Sequence, residues 1–240
     1  MTERIEKTVA FLRRKLAESP YFEKHPEAGN YRLEHTFRVA RIGRMIAEQE
    51  GLSVENMTLA CLLHDVSYCR EFRDHQDWLD HGREAARIAR PFLTELGLAA
   101  AEVEEICAGI AIHVDDRADF PCEITPFART VGDADNIDRF DVYRLYETLE
   151  NAKFSAMPLG EKTAYVEDVL TRLESHLTAE FATETASALW RERIGFYLEF
   201  YRRLKGQLDA SVWASDAAVP ASGKAGSAPA DSALELAGRF

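Results

Sequence analysis

Apolar residues recur at the three-to-four-residue spacing of a helix almost everywhere in the chain, and alternating strand patterns are essentially absent. Ile5, Val9, Leu12 and Leu16 mark an opening helix, and Val39, Ile42 and Ile46 share one face of a second over 31–49. A third, over 53–66, follows Ser53 as N-cap and is apolar nearly all round through Met57, Leu59, Ala60, Leu62 and Leu63. Further helices are predicted over 81–96, with Gly97 ending it, over 101–114, from Pro126 to about 149, over 161–178 and over 183–207. The stretches 67–78 and 115–126 read as loops. The pattern predicts an all-α fold, with one helical domain over 1–208 and a disordered tail over 209–240, where Ala, Ser, Gly and Pro replace large apolar residues.

Polar residues interrupt the apolar stripes at a few positions. The run "ACLLHDVSYC" ends a buried-looking helix in His64 and Asp65, adjacent and ionisable. Burying such groups without partners is costly, so the rest of the chain should supply compensation. His35 heads the stripe Val39, Ile42, Ile46, and His81 heads Ala85, Ile88, Phe92. His113 ends Val103, Ile106, Ile110, and Asp135 continues Ala128 and Val131. Residues at these spacings share a helix face. A lone histidine on an apolar face is usually a core histidine bonded to backbone. Five helices that each turn an imidazole or carboxylate inward instead match the make-up of a metal site in a bundle core. His25, beside Pro26, His75, in a charged stretch, and His176 lie off these stripes and read as structural or solvated.

The 240 residues are 46% hydrophobic and 29% charged, enough for a sizeable core. A net charge of −12 argues against nucleic-acid and anionic-membrane binding, so a site for an anion must bring its own positive charge. Cys61, Cys69, Cys107 and Cys122 have no CxxC spacing, which speaks against a cysteine zinc site. No signal-peptide pattern and no apolar run of about eighteen residues is visible, and the expected compartment is the cytoplasm.

The order H…HD…H…H…D over roughly 30–140 resembles the HD superfamily of metal-dependent phosphohydrolases. "EHTFRVARIG" is similar to that family's first histidine helix, "CLLHDV" to its HD doublet and "GDADNIDRF" to its closing aspartate helix. The resemblance implies a helical bundle around a metal held by His35, His64, Asp65 and Asp135. Asp133 and Asp138 are the runners-up to Asp135, whose place after Val131 at i+4 agrees with the family pattern. "RLEH" resembles the deoxynucleotide-hydrolysing branch, which implies that Arg32 contacts phosphate. Arg38, one turn after His35, and Asp138 are further substrate-binding candidates. Ser67 stands where the family often has Gly, and Asn136 where a basic residue often follows the closing aspartate.

The implied activity is hydrolysis of a nucleotide or related phosphate ester, because a divalent metal makes hydroxide available near neutral pH and polarises a phosphoryl group. Mixed imidazole and carboxylate ligands suit Mn, Fe, Co, Ni, Zn or Mg, one or two ions per chain. His81 and His113 are candidates for a second metal, for a hydrogen bond to phosphate or for protonating the leaving oxygen. Two other readings are a di-iron oxygenase with the same ligand order and a non-catalytic nucleotide-binding module. The expected partner is a small phosphate substrate, and a homodimer is compatible with the sequence.

Overall fold

A computed structural model describes residues 2–213, and every regular element among them is helical. They divide into two compact units, residues 2–139 with Phe181–Ala188, and Phe140–Glu180 with the described residues from Leu189 onward. The single domain expected over 1–208 therefore spans both.

The first unit contains α1 (Glu3–Ala17), α2 (Pro20–Lys24), α3 (Pro26–Glu50), α4 (Val54–Leu63), α5 (His75–Leu79), α6 (His81–Glu95), α7 (Ala100–Ile112) and α8 (Pro126–Asp138). Capping sets many of the boundaries. The Thr2, Ser19, Ser53 and Thr125 side chains accept backbone N–H bonds at the starts of α1, α2, α4 and α8. Gly51 ends α3 at φ 68°, and Gly97 follows α6 at φ 73°, as expected for that glycine. Helix α4 is buried from Asn56 to Leu63, which explains its lack of a polar face. It packs against α3, α7 and α8. Val39, Ile46, Leu59, Leu63, Ile106, Ile110 and Val131 fill the space among them.

Close helix approach depends on missing side chains. A Cβ on Gly82 would lie 2.8 Å from the Ala111 carbonyl oxygen, 2.9 Å from that of Ile110 and 3.0 Å from His113 Nδ1. These neighbours are backbone and a fixed ring, so α6 would have to move off α7. Gly82→Ala is expected to destabilise the protein by about 1–3 kcal/mol, as overpacking does elsewhere, read as a shifted midpoint in urea unfolding with an unchanged slope.

The second unit holds α9 (Val142–Asn151), α10 (Leu159–Ser175) and α11 (Glu184–Ala210) from Leu189 onward. Phe140, His176, Trp190 and Tyr197 form its aromatic core, and the Trp190 indole N–H donates to the His176 carbonyl at 2.8 Å. His176, expected to be structural or solvated, is buried here.

Several boundaries differ from the sequence reading. The helix expected from Pro126 to about 149 ends at Asp138 and restarts at Val142, where the Asp141 carboxylate caps the new N-terminus. The loop over 67–78 contains a 3₁₀ turn, Val66–Cys69, and α5, capped by Asp74. His75 therefore opens a short helix and stacks on Trp78. In α6 the buried stripe runs through Ala85, Ala86, Ala89 and Leu93, leaving Ile88 and Phe92 half-buried. Helix α11 continues to Ala210, past the expected tail start at 209, and residues 214–240 lie outside the described residues. Among the described residues no helix is long and apolar enough to cross a membrane.

Candidate metal centre

The compensation that the buried His64–Asp65 pair requires comes from four other helices. His35 lies on α3, His81 opens α6, His113 follows α7 and Asp135 lies on α8, and all six residues are buried. His64, His81 and His113 share a local device. Each sits at a helix end and donates its Nδ1–H to the carbonyl three residues before it, Cys61, Trp78 and Ile110 respectively. That bond fixes the ring and leaves Nε2 as the inward lone pair.

The inward atoms form two overlapping groups. His35, His64 and Asp135 each offer one ligand atom within 4.8 Å of the others, and so do His64, Asp65 and His113. His64 belongs to both. Its Nε2 has no hydrogen-bond partner, although Asp65 Oδ2 lies 3.2 Å away and Asp135 Oδ1 3.8 Å away. A buried nitrogen lone pair facing two carboxylate oxygens without bonding to them fits a divalent cation among them. Asp65 addresses both sides. Its Oδ2 faces His64 and, at 3.5 Å, His35 Nε2, while its Oδ1 lies 3.3 Å from His81 Nε2 and 3.7 Å from His113 Nε2. His81 and His113 meet at 3.0 Å between their Nε2 atoms.

Each inward acid also has an arginine. Arg32 bonds Asp65 Oδ2, Arg38 grips Asp138 at 2.8 and 3.1 Å, and Arg139 reaches Asp135 Oδ2 at 2.7 Å. Asp138 in turn bonds His35 Nδ1 at 2.8 Å. Both of its oxygens are thus engaged with His35 and Arg38, which places this pair, expected at the substrate, behind a candidate ligand. Asp133, a runner-up for the closing ligand, is directed elsewhere and accepts the Ala182 N–H at 2.8 Å.

The charges follow from this packing. Burial opposes charge on Asp65 and Asp135, but Arg32 for the first, and Arg139 and His35 for the second, outweigh it and hold both carboxyls well below the usual range. Burial also opposes charge on His35, yet its bonds to Asp135, Asp138 and Asp65 hold the imidazolium well above its ordinary value. His113 goes the other way. Burial outweighs Asp65 and brings it down to about 4, so its ring is neutral.

Two site residues were not singled out from sequence. Arg139 lies one turn after Asp135, and an i,i+4 acid–arginine pair is a readable signal. It supplies positive charge beside Asp135, which Asn136 directly follows in sequence. Tyr68 lies three residues after Asp65, and its ring centre is 3.5 Å from the Arg32 guanidinium carbon.

Comparison with known proteins agrees with this architecture. Residues 32–139 match the family model of the HD domain. No curated protein matches the chain. A solved structure described as a predicted HD superfamily hydrolase, from an uncultured Thermotogales bacterium, shares the fold with a TM-score of 0.57. The two are 21% identical, over 84% of this chain and 91% of that one.

Proposed function

Residues 32–139 are an HD domain, and from that premise we propose that the protein is a metal-dependent phosphohydrolase acting on a nucleotide or related phosphate ester. The observation that carries this reading is the unbonded, fully buried His64 Nε2 between the Asp65 and Asp135 carboxylates. His35, His64, Asp65 and Asp135 would hold the metal. When bound, it would lower the pKa of a water ligand and draw charge from the phosphoryl group.

The chain's own residues supply the rest. Asp138, backed by Arg38, orients His35 through Nδ1 and leaves Nε2 for the cation. Arg139 holds Asp135 by Oδ2, so that Oδ1 stays turned toward His35, 3.1 Å from its Nε2. Arg32 and Arg139 place two guanidinium groups at the centre of a chain with net charge −12, and guanidinium forks suit phosphate oxygens. His81 and His113, whose Nδ1–H groups are taken by backbone carbonyls and whose Nε2 atoms lie 3.0 Å apart, are assigned to a second cation.

Elemental analysis of the purified protein, followed by a phosphate-release screen with nucleoside mono-, di- and triphosphates and the metals found, tests the reading. Release that disappears on chelation and returns with metal is expected. The two oxygens of Asp65, one toward each histidine group, also support a second reading, an iron-pair oxygenase. A tightly bound iron pair with visible absorption and no phosphate release from any substrate would favour it.

A further inference from the structure

Asp65 already carries a cation in this structure. Arg32 Nη1 donates to Oδ2, the same oxygen that faces His64 and His35. Arg139 differs, because it takes the oxygen of Asp135 that is not turned toward His35. Arg32 therefore stands where a divalent ion on Oδ2 would compete with it, and Arg139 does not.

Arg32 also has a second seat. Its guanidinium carbon lies 3.5 Å from the centre of the Tyr68 ring, close enough for a cation–aromatic contact between two half-buried side chains. The local backbone explains the placement. Val66–Cys69 is a 3₁₀ turn, in which residues three apart eclipse, and the Tyr68 N–H donates to the Asp65 carbonyl at 3.0 Å. The ring is itself braced, with centroids 4.7 Å from Phe72 and 5.4 Å from His81.

We propose that Arg32 is an exchangeable partner of Asp65, which leaves Oδ2 when a divalent cation binds there, stays on the face of Tyr68 and turns its N–H groups to an anion beside the cation. Tyr68 is then a positioning residue that keeps the released guanidinium at the site. The anion part rests on the phosphate-ester reading above. The exchange part rests only on the shared oxygen.

The test uses full-length, metal-free protein, with Mn(II) binding measured first and inorganic phosphate binding to the Mn(II)-loaded form second. Arg32→Gln should bind Mn(II) about three- to tenfold tighter, since a competing cation is gone, and phosphate about tenfold weaker or worse. Tyr68→Leu should keep Mn(II) affinity within about twofold yet bind phosphate several-fold more weakly, while Tyr68→Phe, which keeps the aromatic face, should match wild type in both. Weaker Mn(II) binding by folded Arg32→Gln would overturn the exchange. Equal phosphate binding by wild type and Arg32→Gln would overturn the anion part, and equal binding by Tyr68→Leu and Tyr68→Phe would overturn the Tyr68 role, each while leaving the phosphate-ester reading intact. No phosphate binding by Mn(II)-loaded wild type would overturn that reading and the anion part together.

Discussion

Purified His64→Ala protein should retain less than about one hundredth of the wild-type affinity for a divalent metal, because loss of even an outer partner of a ligand commonly costs 10- to 100-fold. His64 belongs to both groups of inward ligand atoms, and its Nε2 is buried with no hydrogen-bond partner. Removing it takes a ligand from each group at once. It removes no permanent countercharge, so the arginine–carboxylate pairs around it remain satisfied. Asp65→Asn is the companion variant. It keeps the shape but removes the charge that Oδ1 and Oδ2 present to the four histidines, and it leaves half-buried Arg32 with a neutral partner. It should therefore lose metal and some stability, whereas His64→Ala should lose chiefly metal. Metal titration of both variants, with melting curves of their metal-free forms, checks this. Near-normal metal affinity in folded His64→Ala would remove these residues as the centre.

The inward residues were legible in the sequence because helical spacing alone puts His35, His113 and Asp135 on buried stripes, and the structure gathers them with His64, Asp65 and His81. What spacing could not give is the angle between helices. That angle depends on positions such as Gly82, whose missing Cβ lets α6 approach α7 and brings His81 against His113. The arginine partners were only half legible. Arg32 was expected at phosphate, but its bond to Asp65 depends on α3 passing the end of α4, a tertiary contact without a local signal. Arg139 had a local signal in its i,i+4 spacing from Asp135. The break after Asp138 was hidden by continuous helical periodicity, and Asp141 as an N-cap was its mark. The cluster as a whole joins residues from five helices, which is why its existence could be read but its pairing of oxygens and rings could not.

Metal affinity should rise about tenfold per pH unit through neutrality, with a single proton released per ion, because a metal can bind His35 Nε2 only after that nitrogen gives up its proton. In the metal-free protein the Asp135, Asp138 and Asp65 carboxylates overcome burial and keep His35 charged well above its ordinary 6.5. His113, already neutral, contributes no proton at neutral pH. The sign for stability is opposite to that for binding. A raised imidazole stabilises the metal-free fold below its unfolded value and loses that contribution as pH climbs through its folded value. The depressed Asp65 and Asp135 stabilise it above their ordinary 3.8 and lose that contribution only as pH falls through their lower folded values. From about pH 6.5 upward, then, the metal-free protein should become less stable while the metal binds more tightly. Calorimetric titration in two buffers of different ionisation enthalpy counts the proton directly. Asp138→Asn removes one of the carboxylates that hold it and should make the affinity level off at a lower pH than in wild type. A pH-independent affinity between pH 6 and 8 would mean that His35 is neutral before the metal arrives, and the three carboxylates around it would then need another source of positive charge.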